Sequence, residues 1–157
     1  MHNKYFYSFT AMKRAETICY TIKTAWHAIN RMYNNIAVKE GVTTSIGYVL
    51  LNIDVKEGTP ATKIAPLIGL EARSLTRMLK SLEETKLIYR VADSADKRSV
   101  RIFLTEKGKE KREIARQSVK KFNNLVFDKV APEKLAIFFE VAAIIQQTTD
   151  INKSYNI

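Results

Sequence analysis

Two histidines, His2 and His27, and one cysteine, Cys19, are the chain's whole stock of imidazole and thiol groups. They lie too far apart in sequence for any metal-ligand spacing, and the five glycines build no loop that would cradle a phosphate. These residues therefore predict neither an enzyme, nor a metal site, nor a bound cofactor. The pattern that does carry chemistry is basic. Residues 73–80 hold three cations, Arg73, Arg77 and Lys80, with Ser74 and Thr76 between them and no anion. An arginine fork chelates the edge of a guanine or holds a phosphate. Serine and threonine hydroxyls are short donors and acceptors, and lysine is a phosphate partner. The same composition also describes a plain solvated helix face. A second basic cluster, Lys97, Arg98 and Arg101, lies beside Asp96 in a stretch without helical periodicity.

The wider charge balance points the same way. Lys and Arg number 26 against 16 Asp and Glu, a formal charge of +10, over 157 residues. Such a surplus attracts nucleic acid, an anionic membrane or acidic proteins. It is placed unevenly: 8 basic against 4 acidic in residues 1–70, 12 against 7 in 71–112, and 6 against 5 in 113–157. The basic surface thus belongs to the first two-thirds. No apolar run approaches the roughly 18 residues of a membrane span. The N-terminus has no smooth apolar core or small-residue cleavage site, and one cysteine makes no internal disulfide. The expectation is a cytoplasmic protein of one domain, 1–157, with no membrane partner.

These residues need elements to hold them. Residues 12–37 repeat apolar side chains at three- and four-residue steps, from Ala15 and Ile18 through Trp26 to Ile36, which predicts a long amphipathic helix. Gly41 and the Thr43-Thr44-Ser45 cluster stop it and cap a second helix carrying Ile46, Val49, Leu50 and Ile53. Thr59 and Pro60 predict an N-cap and first position of a third helix, ending at Gly69, with Pro66 awkwardly inside. Leu75, Met78, Leu79 and Leu82 form the stripe of a fourth, over about 71–85. The period then changes from 3.6 to 2. Residues 87–91 and 100–104 read as two strands around a polar turn, 92–99. Another long helix follows to about Val130, and Pro132 opens a last one. That last helix is apolar on two sides, Leu135, Phe138, Phe139, Ala142 and Ile145 on one and Ile137, Val141 and Ile144 on the other. A helix of this kind needs two packing partners. The second is most simply another copy, which predicts a homodimer built from both chain ends.

Short helices followed by a hairpin give the order of a winged helix-turn-helix, in which the second helix of the motif lies in the major groove. The expected class is mainly α with a small β-hairpin wing, flanked by N- and C-terminal dimerisation helices. DKRSVRIFLTEKG, residues 96–108, fits D-x-R-x5-L-T-x-x-G. It resembles the wing signature of MarR-family transcriptional regulators. SLTRMLKSLEETKLI, residues 74–88, resembles that family's recognition helix and following strand, and IAPLIGLEARS resembles the helix and turn before it.

The resemblance implies a DNA-binding lobe over about 42–110 and dimerisation helices over about 10–38 and 111–151. It further implies a regulator, expected here to be a repressor, that grips a pseudo-palindromic double-stranded operator as a homodimer. Arg98 would enter the minor groove, Asp96 would orient it or form the turn, and Lys97 and Arg101 would meet phosphates. Leu104 would anchor the wing and Thr105 would cap the next helix. Lys86, Pro66 and Thr44 depart from the residues common in the family at those places.

The resemblance also implies a small aromatic or carboxylate effector, for which Trp26, His27, Asn30 and Tyr48 are the candidate lining. Each has a plainer reading, Trp26 as core packing and His27 as a surface group. Cys19 invites comparison with family members that sense peroxides through a thiol on the first helix. Its place on the apolar stripe between Ala15 and Ile22 instead predicts a small buried residue. A dimeric basic module binding a protein or an anionic surface is the remaining alternative, and it has no use for the Asp96-x-Arg98 wing.

Overall fold

The structure, a computed structural model, describes residues 13, 17–93 and 99–149. The order is α1 (Ile18–Lys39), α2 (Thr44–Leu51), β1 (Thr59–Pro60), α3 (Ala61–Ile68), α4 (Ala72–Glu84), β2 (Ile88–Ala92), β3 (Val100–Leu104), α5 (Glu106–Phe127) and α6 (Pro132–Thr148). This is a mainly helical chain with a small antiparallel sheet, as the periodicities require. The chain divides into two compact units between Ala115 and Arg116, inside α5.

In the first unit, helix ends follow the local chemistry of the chain. The Thr17 hydroxyl caps α1 by accepting from the Tyr20 amide at 3.3 Å, while the earlier part of the predicted helix, residues 12 and 14–16, lies outside the described residues. Gly41, at φ 69°, ends it, and the Val42 amide folds back to the Ala37 carbonyl at 3.0 Å. Thr43 then caps α2 through the Ile46 amide. The buried Thr44 hydroxyl donates to Asn34 Oδ1 at 2.6 Å, pinning α2 to α1.

The exit from α4 is a Schellman turn. The Leu87 amide reaches the Leu82 carbonyl and the Lys86 amide reaches Glu83, both at 2.9 Å. Lys86 adopts φ 57° to make it, a left-handed conformation that costs a non-glycine residue about 1–2 kcal/mol. The turn thus forms without a glycine at its left-handed position.

The expectation for Thr59 and Pro60 needs correction. They form β1 and pair with β3, Thr59 opposite Ile102 and Pro60 opposite Arg101, so the sheet has three strands in the order β1-β3-β2. The proline is tolerated because β1 lies at an edge. α3 begins after it with no side-chain cap. The Thr59 hydroxyl instead accepts from the Asp54 amide at 2.9 Å and donates to the Asn52 carbonyl at 3.3 Å, closing the loop behind α2.

The core lies between this sheet and the short helices. Val49, Leu50 and Ile53 come from α2 and its exit, Ile64 and Ala65 from α3, Leu75, Leu79 and Leu82 from α4, and Leu87, Ile88, Ile102 and Leu104 from the sheet segment. Each such leucine or isoleucine contributes about 1.5–3 kcal/mol by leaving water. Together they fix α4 by one face and leave its other face exposed.

The wing joins α5 through the L-T-x-x-G segment. The Thr105 amide donates to the Leu87 carbonyl at 3.1 Å, while its hydroxyl donates to Lys86 at 2.7 Å and accepts from the Gly108 amide at 3.0 Å. Gly108 faces the Leu87 carbonyl so closely that a Cβ there would overlap it. The threonine and the glycine are therefore required by one joint.

In the second unit, α6 buries none of its residues. Leu135, Ala142 and Ile145 are half-buried, whereas Ile137 and Phe138 are 58% and 62% exposed, with Phe139, Val141 and Ile144 similarly open.

Candidate nucleic-acid interface

α3 and α4 are joined by Gly69, Leu70 and Glu71. Gly69, at φ 64°, makes the turn that lets α4 leave α3. Leu75, Leu79 and Leu82 turn inward, so Arg73, Ser74, Thr76, Arg77 and Lys80 all stand exposed on the opposite face. At 100° per residue, Arg73, Arg77, Lys80 and Glu84 share the outermost ridge. The structure thus brings together all five residues of α4 that the sequence singled out.

Their partners differ along the helix. Lys80 Nζ lies 4.0 Å from Glu84, and Glu83 binds Arg90 of β2 at 3.0 Å, so the acids gather at the C-terminal end. Arg73 and Arg77 have no ion-pair partner among the described residues. The Thr76 hydroxyl donates back to the Ala72 carbonyl at 2.9 Å. The N-terminal half of α4 therefore presents uncompensated guanidinium groups beside short polar side chains, suited to an anionic, hydrogen-bonding surface.

The wing residues Asp96, Lys97 and Arg98 lie outside the described residues. Arg101 is described, and the partners it has are within the chain. Its Nε donates to Asp93 Oδ2 at 3.1 Å, and Nη1 donates to the Glu57 and Gly58 carbonyls at 3.0 and 3.3 Å. The Asp93 side chain is only 7% exposed, and its amide closes the loop on the Ser99 carbonyl at 3.0 Å. Arg101 thus ties the base of the wing to the loop before β1. Gly58 makes that approach possible, because a Cβ there would lie 2.7 Å from the Ile102 carbonyl oxygen.

Sequence reasoning left Asp93 inside a polar turn. The available signal was an acid just beyond one strand and an arginine on its neighbour. In the loop tied down by Arg101, the Glu57 amide and then the Lys56 amide donate to Asp54, and these bonds hold its carboxyl below the usual carboxylate range.

The candidate effector residues are partly gathered. Trp26 of α1 stacks on Tyr48 of α2 with ring centroids 5.9 Å apart, and Tyr33 meets Tyr48 edge-on at 6.4 Å. Trp26 is exposed, which corrects the plainer reading of it as core packing. His27 is exposed and Asn30 half-buried. Tyr33 of α1 completes the aromatic cluster. Burial pushes its hydroxyl pKa up, with Tyr48 adding to the shift, and burial also raises Tyr48.

Cys19 is exposed rather than buried. The first turns of α1 carry their apolar stripe into open space, with Ile18 and Ile22 also exposed. Among the described residues, no group of His, Cys, Asp and Glu is placed to hold a metal ion. No helix among them is long and apolar enough to cross a membrane.

Comparison with known proteins bears on the same segment. The model of the MarR family matches residues 47–100, from α2 through the first residue of β3. The HTH-type transcriptional regulator SarZ of Staphylococcus aureus is 33% identical over 111 residues, covering 69% of this chain and 74% of SarZ. The chain belongs to the MarR family. The HTH-type transcriptional regulator TtmR of Methylorubrum extorquens is 34% identical over 92 residues, 59% of this chain. That match takes in 47% of TtmR, so the MarR-family chain spans about half that relative's length. Among solved structures, the S. aureus MepR-DNA complex has a TM-score of 0.77 at 19% identity, over 84% of this chain and 98% of MepR. That likeness is one of fold, and it is the winged helix-turn-helix of the family.

Proposed function

We propose that this MarR-family chain is a sequence-specific double-stranded DNA-binding regulator, acting in the cytoplasm as a homodimer on a pseudo-palindromic operator. The observation that carries the reading is the outer ridge of α4, where Arg73 and Arg77 stand exposed, with no acidic partner among the described residues, on a helix held from behind by three buried leucines. A recognition helix needs this combination of a rigid back and an uncompensated basic front. Lys80 and Lys97 would add phosphate contacts, and Arg98 would enter the minor groove. For Arg101, its bonds to Asp93 and the Glu57 and Gly58 carbonyls favour a supporting role in the wing over direct contact with phosphate.

The exposed apolar stripes of α1 and α6 support the homodimer, since solvent is a poor neighbour for Ile18, Ile22, Ile137, Phe138 and Val141. Repression would follow from occupying the operator. A small aromatic or carboxylate effector would act at Trp26 and Tyr48.

Selection of random duplex DNA by the purified protein tests this reading. An inverted repeat whose half-sites lie about one helical turn apart is expected, with log affinity falling against log salt by about 0.9 per phosphate neutralised. Arg98→Ala should weaken the selected site by about 1–3 kcal/mol. Binding that is weak and blind to sequence would overturn the proposal.

A further inference from the structure

The side chains of α4 differ in what they have left to offer, and this difference bears on which bases they read. Thr76 is exposed, yet its hydroxyl proton is already committed to the Ala72 carbonyl at 2.9 Å. Turning the hydroxyl back onto the helix leaves the γ-methyl as the group the side chain presents outward. Arg73 and Arg77 sit four residues apart on the outer ridge, with no ion-pair partner among the described residues. Four residues rise about 6 Å, close to two base-pair steps of about 3.4 Å each. Lys80, one turn further on, leans toward Glu84. The reading surface is thereby confined to the first two turns of the helix.

We infer that Thr76 is a specificity-determining residue that reads the 5-methyl group of a thymine through its own methyl, while Arg73 and Arg77 read guanines about two base pairs apart in the same half-site. The inference rests on the proposal that α4 lies in the major groove. The physical ground is that a methyl recognises a methyl by excluding water, which a hydroxyl cannot do. The arginine fork matches the two acceptors on the guanine edge, which no other base presents in the major groove.

The test uses duplexes of the selected operator in which each thymine is replaced singly by deoxyuridine, so that only one methyl is lost. The wild-type protein should bind about three- to fivefold more weakly at one symmetric pair of positions, the worth of roughly one buried methyl at each contact. Thr76→Val, which keeps the methyl and discards the hydroxyl, should retain both affinity and this sensitivity. Thr76→Ser, which keeps the hydroxyl, should bind thymine and deoxyuridine operators alike. Arg73→Ala and Arg77→Ala should each relax the guanine preference at a different position.

The reverse pattern, with Thr76→Ser still sensing the methyl and Thr76→Val blind to it, would overturn the inference. So would an operator in which no thymine methyl matters. Neither result would touch the DNA-binding proposal, which fails separately if no operator is selected at all.

Discussion

Gly108→Ala isolates the joint between the wing and α5. In an ordinary helix interior this change stabilises by about 1 kcal/mol, because alanine loses less backbone freedom on folding. Here the added methyl would overlap the Leu87 carbonyl and press on Leu104 Cδ2 at 3.4 Å. Leu87 and Leu104 are nearly fully buried, so the strain cannot be relieved by turning a side chain into solvent. Overpacking of this kind costs about 1–3 kcal/mol. If α5 instead backs away, Thr105 leaves Leu87 and Lys86, forfeiting hydrogen bonds worth about 1 kcal/mol each. Against the helix gain, either route leaves a loss of roughly 1–2 kcal/mol. For a chain of this length that is a fall in melting temperature of roughly 2–8 °C.

Gly47→Ala is the internal control. It too lies in a helix, but its Cβ would meet Ala115 Cβ at 3.5 Å, an ordinary contact, so this variant should gain up to about 1 kcal/mol. Thermal and urea unfolding of both variants measure the difference. A Gly108→Ala protein as stable as wild type, or more so, would refute the packing argument.

Three further perturbations follow from particular contacts. Asp93→Ala strips the carboxylate from Arg101, which is part-exposed and keeps its two carbonyl acceptors. The loss is therefore below that of a fully buried pair, about 1–2 kcal/mol, and urea unfolding should find most of it restored in Asp93→Glu only if the longer side chain still reaches Nε.

Asp54 has its carboxyl pKa lowered in the folded state by the Glu57 and Lys56 amides. A lowered folded value means a contribution present above the unfolded pKa and lost as pH falls through the folded one. Asp54→Asn should flatten this acid limb, and identical acid titrations of stability for the two proteins would remove the explanation. Phe138→Glu places a charge on the open stripe of α6. If two copies meet there, the dimer should weaken by roughly 100-fold or more in sedimentation equilibrium, with helicity unchanged; an unaltered dimer would place the interface elsewhere.

What the sequence revealed, and what it hid, divides along the range of the forces involved. α4 was legible because one face is leucine at helical spacing and the other is not, and local periodicity alone sets that. The Thr105 and Gly108 positions were legible as a pattern, though only their hydrogen bonds and close approach to Leu87 explain why those two residue types are needed. β1 was missed because its hydrogen-bond partner is β3, more than forty residues away, while Thr-Pro carries a strong local signal for a helix start. Cys19 was misplaced for a related reason. Periodicity shows that a helix has an apolar side, but it does not show whether the same chain supplies the cover.

The aromatic cluster offers a route by which an effector would act on α4. Trp26 and Tyr48 belong to α1 and α2, and α2 is held on its other side by Val49 and Leu50, which are fully buried in the core against which α4 packs. A planar ligand entering between the two rings must break a stack worth about 0.5–1.5 kcal/mol and displace α2. A close-packed core passes such a shift on rather than absorbing it, so α4 would move with it.

Trp26 is the chain's single tryptophan, and its fluorescence reports directly on the stack. Titration with benzoate, as a minimal aromatic carboxylate, should change that fluorescence in the wild-type protein and not in Tyr48→Ala. Linkage then adds a demand that no merely local binding meets. Benzoate must weaken operator binding by the same factor, of order 5–150-fold, by which operator weakens benzoate binding. A fluorescence change that persists in Tyr48→Ala, or a benzoate affinity indifferent to operator, would show that this cluster only packs α1 against α2.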